Sequence, residues 1–428
     1  MSVATLVAAH SNGDAWALHF APLAQQGLVT SFSDGTIKVY PLGSQPGRDY
    51  APSRTIKAHN GSINAMRSVD GQNIVATAAA DGIKVFDLRN KHDNPVMTFS
   101  NQRGIPFLSL DVRGDLIAGG TELKSADAEL HIWNIKSGEL VWSFIDSHHD
   151  DITEIRFHPT DETLLLSGST DGYVNIYDLS IADEDEAQHQ VINFASIHSA
   201  GWLSEKRIYT LSHMETFAIH ELNDKTEEVT EPKPSEFGDV REAWGCEYVV
   251  DLYPGFVATG SNSRSFAALY PFRDEKIDLQ HYVGLNSAHG EEVVRAVYCP
   301  PNSNLIYTGG EDGCVKVWKA DVELNAPQTF LEAATGASVA AKSESEDVEM
   351  DVDSSEDEKA KKKQKKEKKE KKEKKEKKEK KEKKEKSEDK KEKKEKKDKK
   401  DKEDKKDKKD KKDKKDKKKN KEHRFKPY

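Results

Sequence analysis

TDGYVNIYD, residues 170–178, reads as a tight turn feeding a half-buried strand: Asp171-Gly172 is a turn dipeptide, and the residues after it alternate between apolar and polar. The same reading fits SDGTIKVY at 33–40, ADGIKVFD at 80–87, AELHIWN at 128–134 and EDGCVKVW at 311–318. The turn aspartates fall at 34, 81, 171 and 312, so the gaps are 47, 90 and 141 residues. These are one, two and three periods of 45 to 47, with a turn at Ala126 to Glu129 marking the unit between 81 and 171. Two weaker units fill the last gap: SIHSAGW at 196–202 continuing into RIYTLSHMETFAIHEL at 207–222, and FVATGSNSRSFAALY at 256–270. A period of this length marks a repeat architecture in which each unit buries its apolar face only against its neighbours.

Seven such units end near residue 318. The first begins with a strand-like segment, Val3 to Ala8, and the last stops on its Trp-bearing strand, Val315 to Trp318. Pairing the two closes a ring and hides both free sheet edges. Certain positions keep a fixed spacing. Thr30 and Asp34, Thr77 and Asp81, Ser167 and Asp171, and Thr308 and Asp312 are each four apart, and an aromatic follows the Asp by six in Tyr40, Tyr177 and Trp318 and by five in Phe86. A histidine precedes each of these units at His10, His59, His149 and His289.

This pattern resembles the WD-repeat family over roughly residues 1–320, and the segments 148–187 and 307–318 with Gly201-Trp202 are similar to the branch of WD repeat-containing protein 89 and its fungal relatives. The resemblance implies an all-β, seven-bladed WD-repeat β-propeller. It also implies that His, Ser or Thr, the turn Asp and the strand aromatic are joined by hydrogen bonds inside each blade. No settled activity comes with it. The third, fifth and sixth units depart from the pattern: Ser263 stands at the Asp position, and a long turn runs through Thr121 to Glu129.

Composition divides the 428 residues into two different polymers. From Lys359 to Tyr428, 42 Lys and Arg face 20 Asp and Glu, a net charge of +22, and the only apolar residues are Ala360, Phe425, Pro427 and Tyr428. That stretch cannot build a core. Residues 1–358 hold 25 basic and 56 acidic side chains, a net of −31, so the overall −9 is an average over an acidic body and a basic tail. Cys246, Cys299 and Cys314 are too few and too scattered for a disulfide framework, and no Cys-x-x-Cys or paired-His spacing suggests zinc. No stretch approaches the ~18 apolar residues of a membrane span, and the N-terminus lacks the pattern of a signal peptide. The expectation is a soluble protein of a reducing compartment, with no cofactor and no metal.

Histidine, hydroxyl and carboxylate are also the groups of a catalytic triad. Catalysis needs one such constellation at one cleft, whereas copies at the repeat period are what a buried hydrogen-bond network requires. No enzyme activity is therefore expected, and Gly119-Gly120 and Gly309-Gly310 lack the Lys-Ser/Thr of a phosphate loop.

Function is then expected at the surface. In the resembled family the loop after each histidine opens on one face of the disc, the top. It carries Asp14 in blade one, Asp150 and Asp151 in blade four, and Glu291 and Glu292 in blade seven. Such a rim attracts a basic partner, unless these side chains only solubilise or favour turns. Two acidic insertions read as solvated loops elsewhere: 180–190, with Asp183, Glu184, Asp185 and Glu186, and 223–243, with seven acidic side chains around Pro232 and Pro234. Trp133 and Trp318 read as core, while the pattern leaves Trp16, Trp202 and Trp244 unplaced.

After Ala320 the repeats stop. Residues 321–342 read as a linker, and 343–358 pack nine acidic residues into sixteen positions, a composition of disorder. Ser343, Ser354 and Ser355 each have an acidic residue three positions on, which suits an acidophilic kinase. In the tail 359–428, Glu recurs at every third position from Glu367 to Glu385, each but the last with a Lys four further on, a helical pair spacing, and helicity should fade once Lys-Lys-Asp takes over from Asp398. The tail is expected to be disordered or partly helical, to touch RNA or DNA non-specifically, and to import the protein into the nucleus. The combined reading is a monomeric interaction scaffold within a larger complex. It would be nuclear or nucleolar, with cytoplasm as second choice, and would bind basic nucleic-acid-associated proteins in ribonucleoprotein or ribosome assembly. A chromatin or histone-binding adaptor and a substrate-recruiting adaptor of a ubiquitin ligase stay open beside it.

Overall fold

The alternating segments form strands, and their turns set them into antiparallel four-stranded sheets, one per sequence unit. In the computed structural model, residues 2–23, 27–43, 50–69, 73–225 and 233–322 are described. The rest of the linker from 323, the acidic run with Ser343, Ser354 and Ser355, and the tail 359–428 lie outside the described residues. The seven blades occupy 17–57, 63–99, 107–148, 152–193, 197–239, 248–286 and 294–319. Each runs from an inner strand a at the channel to an outer strand d, and blade seven takes its strand d from the N-terminus.

Ring closure goes further than the expected pairing of Val3 to Ala8. Thr5–Ser11 pairs antiparallel with Cys314–Lys319, with Leu6 opposite Trp318 and His10 opposite Val315. Ahead of it, Ser2–Val3 leaves blade seven and lies parallel to Val283–Asn286 as a fifth strand on the a-to-d path of blade six. The Ser2 and Ala4 amides donate to Tyr282 and Gly284 carbonyls at 3.0 and 2.9 Å, and Ala4 is buried among Val283 and Leu285. Residues 2–11 thus stitch two neighbouring sheets.

Small residues are required where strand b is sandwiched between blades. A Cβ placed on Gly120 would lie 2.5 Å from both Ile152 Cγ2 and Ser109 Oγ, so the Gly119-Gly120 pair is a packing device. Elsewhere aromatic rings fill the space between sheets. Trp133 stands 5.5 Å from Phe99 and 5.8 Å from Phe107, and Trp202 lies edge-on to His158 at 4.5 Å.

Where they are described, the two acidic insertions carry regular structure, not solvated loops alone; residues 226–232 of the second lie outside the described residues. In the first, Asp183 caps a short helix, Glu184–Ala187, which leads into strand d of blade four, Gln188–Asn193. The Glu184 carboxylate accepts the Ile145 and Asp146 amides at 2.9 and 3.0 Å, covering part of the open edge of blade three. In the second, Ser235–Asp239 is strand d of blade five and Arg241–Trp244 is a helical turn whose buried Trp244 packs on Phe217 at 5.5 Å. Dense charge suggested solvation, but one carboxylate here serves the backbone of a neighbouring blade and the other segment completes a sheet.

Candidate functional site

Blades two, four and seven each carry a buried relay. His59, His148 and His289 precede strand a, and their Nε2 atoms lie 2.7, 2.7 and 2.8 Å from Thr77, Ser167 and Thr308 hydroxyls on strand b. Their Nδ1 atoms meet the turn carboxylates of Asp81, Asp171 and Asp312, at 2.9 Å for Asp171 and 2.6 Å for Asp312. Lys84 and Lys316 bind Asp81 and Asp312 at 2.9 Å each and tie them to the Ala58 and Ala288 carbonyls. Trp318 Nε1 donates to Thr308 at 2.9 Å, the Tyr177 hydroxyl lies 3.5 Å from Ser167 Oγ, and Phe86, with no polar atom, packs in the core. Burial opposes ionisation of these aspartates, but hydrogen bonds from their lysine and histidine partners outweigh it and hold Asp81 down to about 2.

Two expectations need correction. In blade four the relay histidine is His148, the buried last residue of an outer strand; His149 points outward and meets Asp127 at 2.9 Å. In blade one no relay forms. His10 lies on the outer strand of blade seven with its ring 5.8 Å from Tyr40, and Asn12 occupies the loop position, its Nδ2 3.2 Å from the Tyr40 hydroxyl. Thr30 Oγ1 is buried with no hydrogen-bond partner, and Asp34 instead accepts the Thr36 amide at 2.9 Å. An amide side chain is too short to bridge to both.

Blade five replaces the relay with a pair the spacing did not reveal: Thr210 Oγ1 lies 3.0 Å from His220 Nε2. Burial, aided by the Arg207 charge, pushes His220 down to about 4. A histidine whose folded value lies below the unfolded ~6.5 contributes stability above that pH and loses it as the pH falls. Between pH 6.5 and 5 the loss is about 2 kcal/mol, at roughly 1.4 kcal/mol per unit. His220→Gln should flatten the pH dependence of urea unfolding by that amount, and an unchanged slope would contradict the assignment.

Along the channel, a cavity of about 650 Å³, strand a of every blade contributes side chains. Arg67 reaches Asp111 at 3.6 Å and Glu154 at 3.3 Å on the next two blades, and Arg156 adds a contact to Glu154 at 3.0 Å. Asn64 and Thr153 donate to the Phe107 and Ile197 carbonyls at 2.9 and 2.7 Å, locking each blade to the next. At the mouth Trp16 is 42% exposed, with the Arg295 guanidinium 6.0 Å over its ring and tied to Glu311 at 2.7 Å.

The top-rim carboxylates fall into two groups. Asp150 accepts the Asp151 amide at 2.9 Å within its own loop, and Asp151 accepts the Leu123 amide of blade three at 2.7 Å, so blade four uses them to hold its own loop and its neighbour's turn. Asp14, Glu291 and Glu292 are exposed and make no side-chain hydrogen bond among the described residues. They belong to the loops of the adjacent blades one and seven.

A WD domain, G-beta repeat model matches residues 138–178 and 282–319. An uncharacterized WD repeat-containing protein of Saccharomyces cerevisiae is 47% identical over 340 residues, covering 77% of this chain and 86% of its own. The chain belongs to the WD-repeat family. A second WD-repeat protein, from Schizosaccharomyces pombe, is 29% identical over 333 residues, 72% of this chain and 97% of its own. The WD repeat-containing protein 89 homolog of Dictyostelium discoideum is 32% identical over 199 residues, 46% of this chain and 52% of its own. A fungal relative of that protein fits these matches.

Proposed function

We propose that this WD-repeat protein is an interaction scaffold whose top face at blades seven and one receives basic segments of nucleic-acid-associated proteins, in nuclear ribonucleoprotein or ribosome assembly. The observation that carries the reading is that Trp16 and the carboxylates Asp14, Glu291 and Glu292, on the loops of the adjacent blades one and seven, are all exposed. Arg295 already lies over one side of the Trp16 ring, and the exposed remainder of the indole together with uncommitted carboxylates favours an Arg or Lys side chain. The field around them has the same sign: residues 1–320 hold 24 basic and 44 acidic side chains, a net of −20. A partner drawn by that field associates faster at low salt. Phosphorylation at Ser343, Ser354 and Ser355 would deepen the negative field.

The test is affinity purification with nuclease present, comparing wild type with a variant carrying Trp16→Ala, Asp14→Asn, Glu291→Gln and Glu292→Gln. All four positions are exposed, so the fold should survive. Basic partners should be lost from the variant while its melting curve stays unchanged. Full retention of the partners would move the binding surface elsewhere.

A further inference from the structure

The hydroxyls of the relays in blades two, four and seven are sealed: Thr77, Ser167 and Thr308 are 0% exposed, so no second molecule reaches them. Blade three holds the same three kinds of group with Glu129 and His131 buried and only the hydroxyl turned outward. Glu129 and His131 are two apart on strand c and share a face, and Ser143 on the outer strand stands opposite His131 in the register. Glu129 Oε2 is 2.9 Å from His131 Nε2, and Ser143 Oγ is 2.9 Å from His131 Nδ1. Arg103 donates to Glu129 Oε1 at 2.7 Å.

The protonation pattern follows from this geometry. Burial opposes the Glu129 charge, but hydrogen bonds from Arg103 and His131 outweigh it and hold the carboxyl below the usual glutamate range. An ionised carboxylate can only accept, so Nε2 carries the imidazole proton. The bare Nδ1 then faces the Ser143 hydroxyl, which donates to it. That is the arrangement of a nucleophile with its base, the base oriented by an acid.

Ser143 is exposed, and a cavity of about 230 Å³ opens beside it, walled by Leu140, Ile145 and Trp133 and reached by Gln102 and Arg103. The argument from repetition does not apply here. Among the described residues, this is the one hydroxyl–imidazole–carboxylate relay whose hydroxyl is open to solvent.

We propose that Ser143 is the nucleophile of an esterase-type site that cleaves small acyl esters. Ser143 Oγ attacks the ester carbonyl while its proton passes to His131 Nδ1, and Glu129 holds the imidazolium that forms. The ester C–O bond breaks, and the leaving alkoxide takes the proton from Nδ1. Water then attacks the acyl-serine with the same base, releasing the acid and restoring Ser143. Gln102, and the N–H groups of Arg103 left over from its bonds to Glu129 and the Lys124 carbonyl, are the side-chain donors lining the cavity for the oxyanion. The cavity is smaller than the ~300 Å³ of drug-sized sites, so it selects a short acyl group.

The full-length protein should be treated with a fluorophosphonate probe and mapped by peptide mass spectrometry, with p-nitrophenyl butyrate hydrolysis as second readout. Labelling should fall on Ser143, vanish in Ser143→Ala, and slow about 100-fold in His131→Gln, the scale of general-base assistance. Labelling of Ser143 no faster than of other exposed serines, or an undiminished rate in a folded His131→Gln, would overturn the proposal. If His131→Gln does not fold, the wild-type labelling decides: Ser143 should be labelled well ahead of the other exposed serines, and equal labelling refutes the site.

Discussion

Deleting residues 2–11 should unfold the propeller rather than fray one end. The segment supplies the outer strand of blade seven, with six residues in register against Cys314–Lys319, and the added strand on blade six. At a net ~1 kcal/mol for each backbone hydrogen bond, and with the ring left open at a bare edge, the loss is on the order of 6 kcal/mol. That matches the whole stability of many domains, about 5 to 15 kcal/mol. Deleting only residues 2–4 removes the two bonds from Ser2 and Ala4 and the burial of Ala4, a cost of about 2 kcal/mol, and should leave a folded protein with a lower urea midpoint. Equal midpoints for the longer deletion and wild type would mean that the ring is not closed by this segment.

Blade count and ring closure were legible because Asp-Gly turns and period-two strands recur at a fixed interval, and each repetition corroborates the others. The strand Ser2–Val3 was not legible: two residues carry no periodicity, and only the parallel register with Val283–Asn286 defines them. The role of Glu184 was hidden for another reason. Its charge looks like a solubilising feature in sequence, yet its function is to accept two backbone amides of the neighbouring blade.

At the relays the spacing carries a further signal. Ile63 lies four positions after His59, Val294 five after His289 and Ile152 four after His148 but only three after His149, so spacing to the first strand residue favours His148 over its neighbour. Nothing similar signals that Asn12 replaces the histidine of blade one. The blade-three relay was half visible, since Glu129 and His131 alternate along strand c. Ser143 joins them only through cross-strand register, which depends on a bulge between Ile132 and Trp133.

Deleting residues 359–428 should abolish polyanion binding and leave the propeller folded, since the segment offers no apolar face to bury. Full-length protein presents 42 cationic side chains there, and neutralising even 6 to 10 phosphates costs roughly 10³ to 10⁵ in affinity between 50 and 200 mM salt. Heparin or duplex RNA titrations across that range should therefore give a steep log–log slope for the full chain. The truncated protein, with its net −31, should repel phosphates and show no measurable binding at any salt. The same truncation should move a fluorescent fusion towards the cytoplasm, because the lysine runs that resemble import signals go with it. The two readouts separate two roles. If polyanion binding is lost but the fusion stays in the nucleus, import rides on a partner held by the propeller; if a salt slope persists, a cationic surface on the propeller itself must be neutralising the phosphates.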